Sequence, residues 1–266
     1  MTLPPTLPSV SILKVGGNDI DDSAFLAEFV ETVVELRQQG ELVIVHGGGK
    51  EIGNLHERMG VNFEIVEGLR VTTYDSLRLV KMVLGGLVNN RLTRWLVTAG
   101  IDALGVSGID AGLVRVEPLR PGGQDIGFVG HVVEVRVDVL QRWLAAGFLP
   151  VISPVSLGID GHSYNVNADQ VASGIAAAAG ARRLVFVSNV PGVIIDGALA
   201  PCLTVDDVAD HIASGQIAGG MIPKVRSAVE AVQDGVAEAV ITNLAGLRSG
   251  TGTAIVASGA DVKREA

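Results

Sequence analysis

Short apolar runs alternate with helically spaced apolar positions along almost the whole chain. Residues 9–15 read as a strand. Over 22–39, Phe25, Phe29, Val33 and Leu36 recur at three- and four-residue steps and line one face of a helix. A strand is expected over 42–45 and a helix over 50–59. A long helix follows over 75–99, interrupted at Gly85-Gly86, where another backbone could come close. Residues 103–106 predict a strand, and 113–136 predict antiparallel β-structure around Pro121-Gly122-Gly123. The alternation then resumes with helix 139–146, strand 149–153, helix 168–179 and strand 184–188. Segments 205–212, 221–233, 239–242 and 254–256 complete it. Strands and helices in alternation imply an α/β fold, a mostly parallel sheet with helices on both faces. With 266 residues and no linker, repeat or low-complexity segment, the expectation is one domain with two lobes, roughly 1–165 and 166–266.

Composition narrows the class. Hydrophobic residues make up 48% and aromatics only 4%, which suits a sheet covered by closely packed helices of small aliphatic side chains. A net charge of −9 argues against nucleic-acid and membrane-surface partners but leaves a small anionic substrate open. The single cysteine, Cys202, removes disulfide frameworks and cysteine-rich zinc sites. The opening MTLPPTLPS has neither a basic nor an apolar region of a signal peptide, and no apolar run is long enough to span a membrane, so the expected location is the cytoplasm.

The stretch LVIVHGGGKEIG carries the first chemistry. Its glycines do not fit a Walker A loop, because Ile44 stands where that loop needs glycine and Glu51 follows Lys50. Nor do they fit a dinucleotide turn, because Ile52 occupies the third glycine position. What remains is a set of uncrowded backbone N–H groups ahead of a helix, which is either an anion site or a tight turn without a ligand. Lys14, near the end of the first strand in LKVGGN, either meets an anion or snorkels to solvent. Asn165, Asn167 and Asp169 in NVNADQVA exceed what one helix cap requires, although capping uses the same residue types. Arg70 in EGLRVTTYD is either a surface charge or a bidentate carboxylate clamp. Lys224 in GGMIPKV sits in the first turn of a helix, where a cation opposes the helix dipole unless an anion joins it. No metal-ligand spacing and no nucleophile elbow is present. A reaction without a protein base or nucleophile fits this set, and phosphoryl transfer to an already ionised carboxylate is such a reaction.

From about residue 10 to 256 the chain resembles the amino-acid kinase family, and within it the kinases that phosphorylate N-acetyl-L-glutamate. The segments KVGGN, VHGGGKEI, GLRVTTYD, DIGFVGHV, NVNADQVA and GGMIPKV stand in that family's order. The resemblance implies a three-layer αβα sandwich around a mainly parallel sheet, with N-acetyl-L-glutamate held by the N-terminal half and MgATP by the C-terminal half. It implies that Lys14 and Lys224 neutralise the transferring phosphoryl group and that Asp169 orients both. Gly17, Gly48 and Gly49 would donate backbone N–H bonds, Arg70, Asn165 and Asn167 would bind the acceptor, and Asn189, Val190, Pro191, Gly192, Val193 and Ile194 would border ATP. Mg2+ would be held mainly by the nucleotide phosphates. Two features depart from the pattern: Asn189 stands where relatives usually carry Asp, and the tail ITNLAGLRSGTGTAIV is shortened. Kinases of aminoadipate or glutamate attached to a carrier protein share both, so that substrate class stays open as the alternative. A non-catalytic paralogue would need to have lost Lys14, Lys224 or Asp169, and all three are present. Arginine-inhibited members resemble one another in an extra N-terminal helix that links dimers. The proline-rich opening cannot build such a helix, so the expectation is an arginine-insensitive homodimer joined through helix 75–99.

Overall fold

The structure, a computed structural model, describes Leu7, residues 10–17 and residues 20–259. Most of the proline-rich opening therefore lies outside the described residues, as does Ser9. In chain order, β1 (Ser11–Val15) leads to α1 (Ser23–Arg37), β2 (Leu42–His46) and α2 (Gly49–Met59). A hairpin of β3 (Ile65–Val66) and β4 (Leu69–Arg70) precedes α3 (Tyr74–Lys81), a π-helical stretch (Met82–Val88) and α4 (Asn89–Thr98). Next come β5 (Ala103–Ser107), β6 (Val114–Pro118), β7 (Gly130–Val135) and α5 (Val137–Ala145). They are followed by β8 (Leu149–Ser153), β9 (Val155–Gly158), β10 (Ser163–Asn165), α6 (Ala168–Ala179) and β11 (Arg183–Val187). The remainder is β12 (Ile194–Ile195), β13 (Ala198–Leu199), β14 (Cys202–Thr204), α7 (Val205–Ala213), α8 (Met221–Gln233), β15 (Ala239–Thr242), α9 (Leu244–Ser249) and β16 (Thr253–Val256).

Eight strands form one sheet in the order β14-β16-β15-β11-β1-β2-β8-β5. Every neighbouring pair is parallel except β15 with β16. Alternation along the central strands sends side chains to two separate cores. Ile12, Val45, Leu184 and Phe186 pack with Leu140 of α5, Ile175 of α6 and Val225 of α8. Leu13, Val15, Ile44 and Val187 pack with Phe29 of α1, Leu92 and Leu96 of α4 and Leu247 of α9. The expected αβα layering follows directly, and each fully buried aliphatic side chain contributes on the order of 1.5–3 kcal/mol. Because β1 has β2 on one side and β11 on the other, the chain leaves it in one direction and returns on the opposite side. Such a switch point opens a crevice beyond the carboxyl ends of the strands.

Two expectations change, and Arg70 gains a defined setting. The helix does not break at Gly85-Gly86: it continues through them by widening into a π turn. Both glycines are exposed, and among the described residues no atom outside their own helix segment lies within 4 Å of where a Cβ would stand, so no other described backbone approaches them. Arg70 sits in the short hairpin of β3 and β4. Glu67 (φ 49°) and Gly68 (φ 79°) supply the positive dihedrals that a two-residue hairpin turn uses. Finally, β6 and β7 pair antiparallel as expected, but β9 and β10 join them in a second four-stranded sheet, β10-β9-β6-β7. Among the described residues no helix is long and apolar enough to cross a membrane.

Candidate active site

The carboxyl ends of β1, β2 and β11 and the N-termini of α2, α6 and α8 converge on a cleft of about 520 Å³. Lys14, Gly17, Gly48, Gly49, Arg70, Asn165, Asn167, Asp169, Asn189 and Lys224 all line it. Ten positions singled out in six separate segments are thus brought to one place. Its charged lining is Lys14, Arg70 and Lys224 against Asp169 alone, a local positive excess in a chain of net charge −9.

Lys14 is the one strand residue of β1 that is not fully buried, and its side chain keeps 19% of its surface. Its ammonium lies 2.8 Å from Asp169 Oδ1. Asp169 is held in turn: Ser227 Oγ donates to Oδ2 at 3.1 Å, and the Asp169 N–H donates to Asn167 Oδ1 at 2.8 Å. Asn167 is therefore the N-cap of α6 as well as a cleft residue. Lys224 does not reach Asp169 in this arrangement. Its ammonium donates to Asn189 Oδ1 at 3.1 Å, and it is Ser227, one turn along α8, that bonds Asp169.

The two glycine loops touch backbone to backbone. A Cβ on Gly17 would lie 2.4 Å from the Gly48 nitrogen, so only glycine permits the contact. Gly48 is also covered by the π-helical stretch, whose Leu84 would meet a Cβ there at 2.6 Å. No side chain caps α2, which leaves its first amides and dipole facing the cleft. Lys50, the residue that made the glycine run look like a phosphate loop, does not line the cleft and instead points to Asp21 at 3.7 Å.

Beneath the glycines, His46 is fully buried, with Nδ1 donating to the Gly47 carbonyl at 2.9 Å. Its other nitrogen accepts from Asn89 Nδ2 at 3.1 Å, and the same amide reaches the Val151 carbonyl at 2.8 Å. Burial holds this imidazole neutral by pushing its pKa down to about 4. An unfolded chain takes up the proton near pH 6.5, so stability present above that pH is lost as pH falls toward 4. The loss is on the order of 3 kcal/mol. Urea midpoints should therefore fall more steeply between pH 7 and 4.5 for the wild type than for His46→Gln. Equal slopes would contradict the assignment.

Arg70 lies with its guanidinium carbon 3.5 Å above the Phe63 ring, and its Nη1 is buried without a hydrogen-bond partner. Burial lowers its pKa, yet a guanidinium keeps its charge. Among the described residues no carboxylate pairs with it, so a desolvated cation is aimed into the cleft. Thr72, two residues on, accepts from Asn165 Nδ2 at 3.2 Å and donates to the Arg70 carbonyl at 2.8 Å. If Arg70 clamps a substrate carboxylate, Arg70→Lys keeps the charge but loses the paired geometry. The KM for the carboxylate substrate should then rise roughly tenfold or more, the equivalent of about 1.4 kcal/mol, with little change for ATP. Equal changes in the two constants would return Arg70 to a structural role.

The segment after β11 divides. Asn189 lines the cleft, whereas Val190, Pro191, Gly192, Val193 and Ile194 do not. Gly192 and Val193 are buried, and Val193 N–H donates to Thr253 Oγ1 at 2.8 Å. Reasoning from sequence passed over Thr72, Ser227, His46 and Asn89. Ser227 was accessible, since it stands three residues after Lys224 on one helix face. His46 and Asn89 carried no local signal.

Residues 9–243 match the profile of the amino acid kinase family. The chain is 52% identical over 243 residues to a protein of Chloroflexus aggregans described as acetylglutamate kinase, covering 91% of this chain and 95% of that one. A protein of Geobacillus thermodenitrificans with the same description is 45% identical, covering 87% and 89%. Among solved structures, N-acetylglutamate synthase from Neisseria gonorrhoeae superposes with a TM-score of 0.81 at 23% identity, covering 95% of this chain and 60% of that one. Carbamate kinase from Giardia lamblia bound to AMP-PNP superposes with a TM-score of 0.68 at 15% identity, covering 94% and 99%, a likeness of fold alone. A cationic cleft at a sheet switch point, lined by glycine amides, and a profile match over most of the sequence lead to one conclusion: the chain belongs to the amino acid kinase family.

Proposed function

We propose that this protein transfers the γ-phosphoryl group of ATP to the side-chain carboxylate of N-acetyl-L-glutamate, giving N-acetyl-L-glutamyl 5-phosphate for arginine biosynthesis. The observation that carries the reading is the gathering of Lys14, Lys224 and Arg70 around glycine amides, with the single lining carboxylate already paired to Lys14. The reaction needs no protein base. A glutamate-type carboxylate has a pKa of about 4.3 and is ionised at pH 7. One of its oxygens attacks the γ-phosphorus, the bond from that phosphorus to the β-γ bridging oxygen breaks, and ADP leaves with the electron pair. No proton moves.

In this reading the N-terminal half holds the acceptor. Arg70 takes its α-carboxylate, and Asn165, steadied by Thr72, and Asn167 complete the site. The Gly17, Gly48 and Gly49 amides and Lys14 meet charge on the migrating group, and Lys224 approaches from the nucleotide side. Such preorganised donors gain strength in a water-poor cleft. Asp169 holds Lys14 directly and is itself held by Ser227 of α8, the helix that also carries Lys224. Asn189 borders the nucleotide. Mg2+ would arrive on the nucleotide phosphates and offset their charge. Among the described residues no group of three or more His, Cys, Asp and Glu side chains is arranged to hold a metal.

Hydroxylamine traps the acyl phosphate as a hydroxamate, which tests the reading. ATP-dependent hydroxamate is expected with N-acetyl-L-glutamate and not with glutamate or N-acetyl-aminoadipate. Its absence with N-acetyl-L-glutamate would overturn the assignment. We also propose a homodimer through the outer face of the π-helical stretch, where Met82 (56%) and Leu87 (52%) are exposed beside Gly85 and Gly86. Light scattering should give twice the chain mass, and Met82→Glu with Leu87→Glu should give the monomer. An unchanged mass in the double variant would place the contact elsewhere.

A further inference from the structure

The phosphoryl site proposed above depends on two loops that come from different strands, and their relative spacing needs a support. At the sheet, Gly47 N–H donates to the Val15 carbonyl at 3.0 Å. Further out, the loop after β1 and the first turn of α2 are joined by side chains. Arg91, the third residue of α4, donates from Nη1 to Asp21 Oδ1 at 2.8 Å and to the Ile20 carbonyl at 3.3 Å. Its other terminal nitrogen, Nη2, pairs with Glu51 in the first turn of α2. Lys50 adds a longer pairing to Asp21 at 3.7 Å. Glu51 is buried, and the Arg91 side chain keeps 24% of its surface. None of these side chains lines the cleft, so none is placed to touch substrate.

The mount is itself rigid. Two residues before Arg91, Asn89 is fixed to the Val151 carbonyl and to His46, and one residue after it Leu92 is 1% exposed in the core. A planar fork with two ends, set on an anchored helix, can hold two loops at once. A lysine, with one compact ammonium, cannot. We propose that Arg91 is a positioning residue that sets the spacing between the two glycine loops, gripping the first through Asp21 and Ile20 and the second through Glu51. The proposal rests on the phosphoryl-transfer reading for its kinetic consequence, but not for its structural one.

The clasp has a titratable jaw. The charged groups facing Glu51 are Asp21 from the β1–α1 loop and Arg91 from α4, with Lys50 of its own helix reaching Asp21. Burial first, and then the neighbouring Asp21, raise the Glu51 carboxyl to about 7 against the pull of Arg91. Above that pH Glu51 is ionised and the grip is complete. Below it the carboxyl is neutral and the pairing weakens.

The test compares wild type with Arg91→Met, Arg91→Lys and Glu51→Gln, by steady-state kinetics and by hydrogen exchange of peptides covering residues 11–25 and 42–55. For both Arg91 variants, kcat should fall roughly 10- to 100-fold, the scale of a misplacement of about 1 Å, with the KM for ATP little changed. Exchange should quicken in both loop peptides together, while peptides from β11 and β15 stay as they were. Glu51→Gln should show a smaller loss and should lack the fall in kcat that the wild type shows below pH 7. Nucleotide phosphate also titrates near pH 6, and the difference between Glu51→Gln and wild type isolates the Glu51 contribution. Unchanged loop exchange in Arg91→Met would overturn the clasp, as would exchange that quickens everywhere, which is general destabilisation. If Arg91→Met does not fold, Arg91→Lys and Glu51→Gln decide by the same criteria. A wild type that does not turn over N-acetyl-L-glutamate overturns the functional reading instead, and the exchange comparison then decides the clasp alone.

Discussion

Lys14→Ala is expected to lower kcat by roughly 10²–10³, the scale of removing one preorganised donor from developing charge. The KM for N-acetyl-L-glutamate should move less, because in the proposed arrangement Lys14 meets the phosphoryl group and not the acceptor's α-carboxylate. Two consequences of the deletion need separating. Lys14 is paired with Asp169 at 2.8 Å, so the alanine variant also leaves a half-buried carboxylate without its cation. Removing one partner of such a pair costs more than the pair contributes. Lys14→Ala with Asp169→Asn relieves that second effect. It should recover folding stability and leave kcat low. Near-full kcat in the single variant would mean that Lys14 only snorkels at a strand end, and recovery of kcat in the double variant would assign the loss to Asp169.

Gly17→Ala should be nearly as damaging, for a steric reason. The added Cβ would lie 2.4 Å from the nitrogen and 2.5 Å from the Cα of Gly48. Both are backbone atoms, so no side-chain rotation relieves the clash and one loop must shift. Losses on the order of 10²-fold accompany such displacements when amides have to point at a migrating group. Gly53→Ala supplies the comparison. It lies inside α2, and its Cβ would come no nearer than 4.0 Å to Arg70. That change should gain roughly 0.5–1 kcal/mol of stability from helix propensity and leave kcat close to wild type. Equal activities for Gly17→Ala and Gly53→Ala would show that the loop contact carries no catalytic geometry.

Much of this site was legible before any fold was known, because its residues violate local expectations. Lys14 interrupts an apolar strand, Lys224 opposes a helix dipole, and Asn165, Asn167 and Asp169 exceed the needs of one cap. Each anomaly is local, so each can be read along the chain. The supporting residues are locally ordinary. Asn89 lies in a helix that reads as amphipathic, and His46 ends a strand of buried residues. Arg91 and Glu51 look like surface charges until α4 is laid beside α2. Thr72 becomes visible only once the segment at Gly127 and Phe128 crosses it, where the Phe128 N–H donates to the Thr72 carbonyl at 2.8 Å.

The sequence by itself determined the alternation of elements, the two-faced sheet and most cleft residues. Hydrophobic period and turn chemistry act over a few residues and are written out in order. Tertiary structure alone decided partnership. It paired Asp169 with Lys14 and gave Lys224 to Asn189, where a single aspartate orienting both lysines had been expected. It turned Lys50 away from the cleft toward Asp21, carried the long helix through Gly85 and Gly86 as a π turn, and set Asn89 and Arg91 beneath the glycine loops. These outcomes depend on which helix face meets which strand end, and on side chains finding partners far away in the chain. No spacing along one segment encodes that, because the contact exists only after the sheet has brought the segments together.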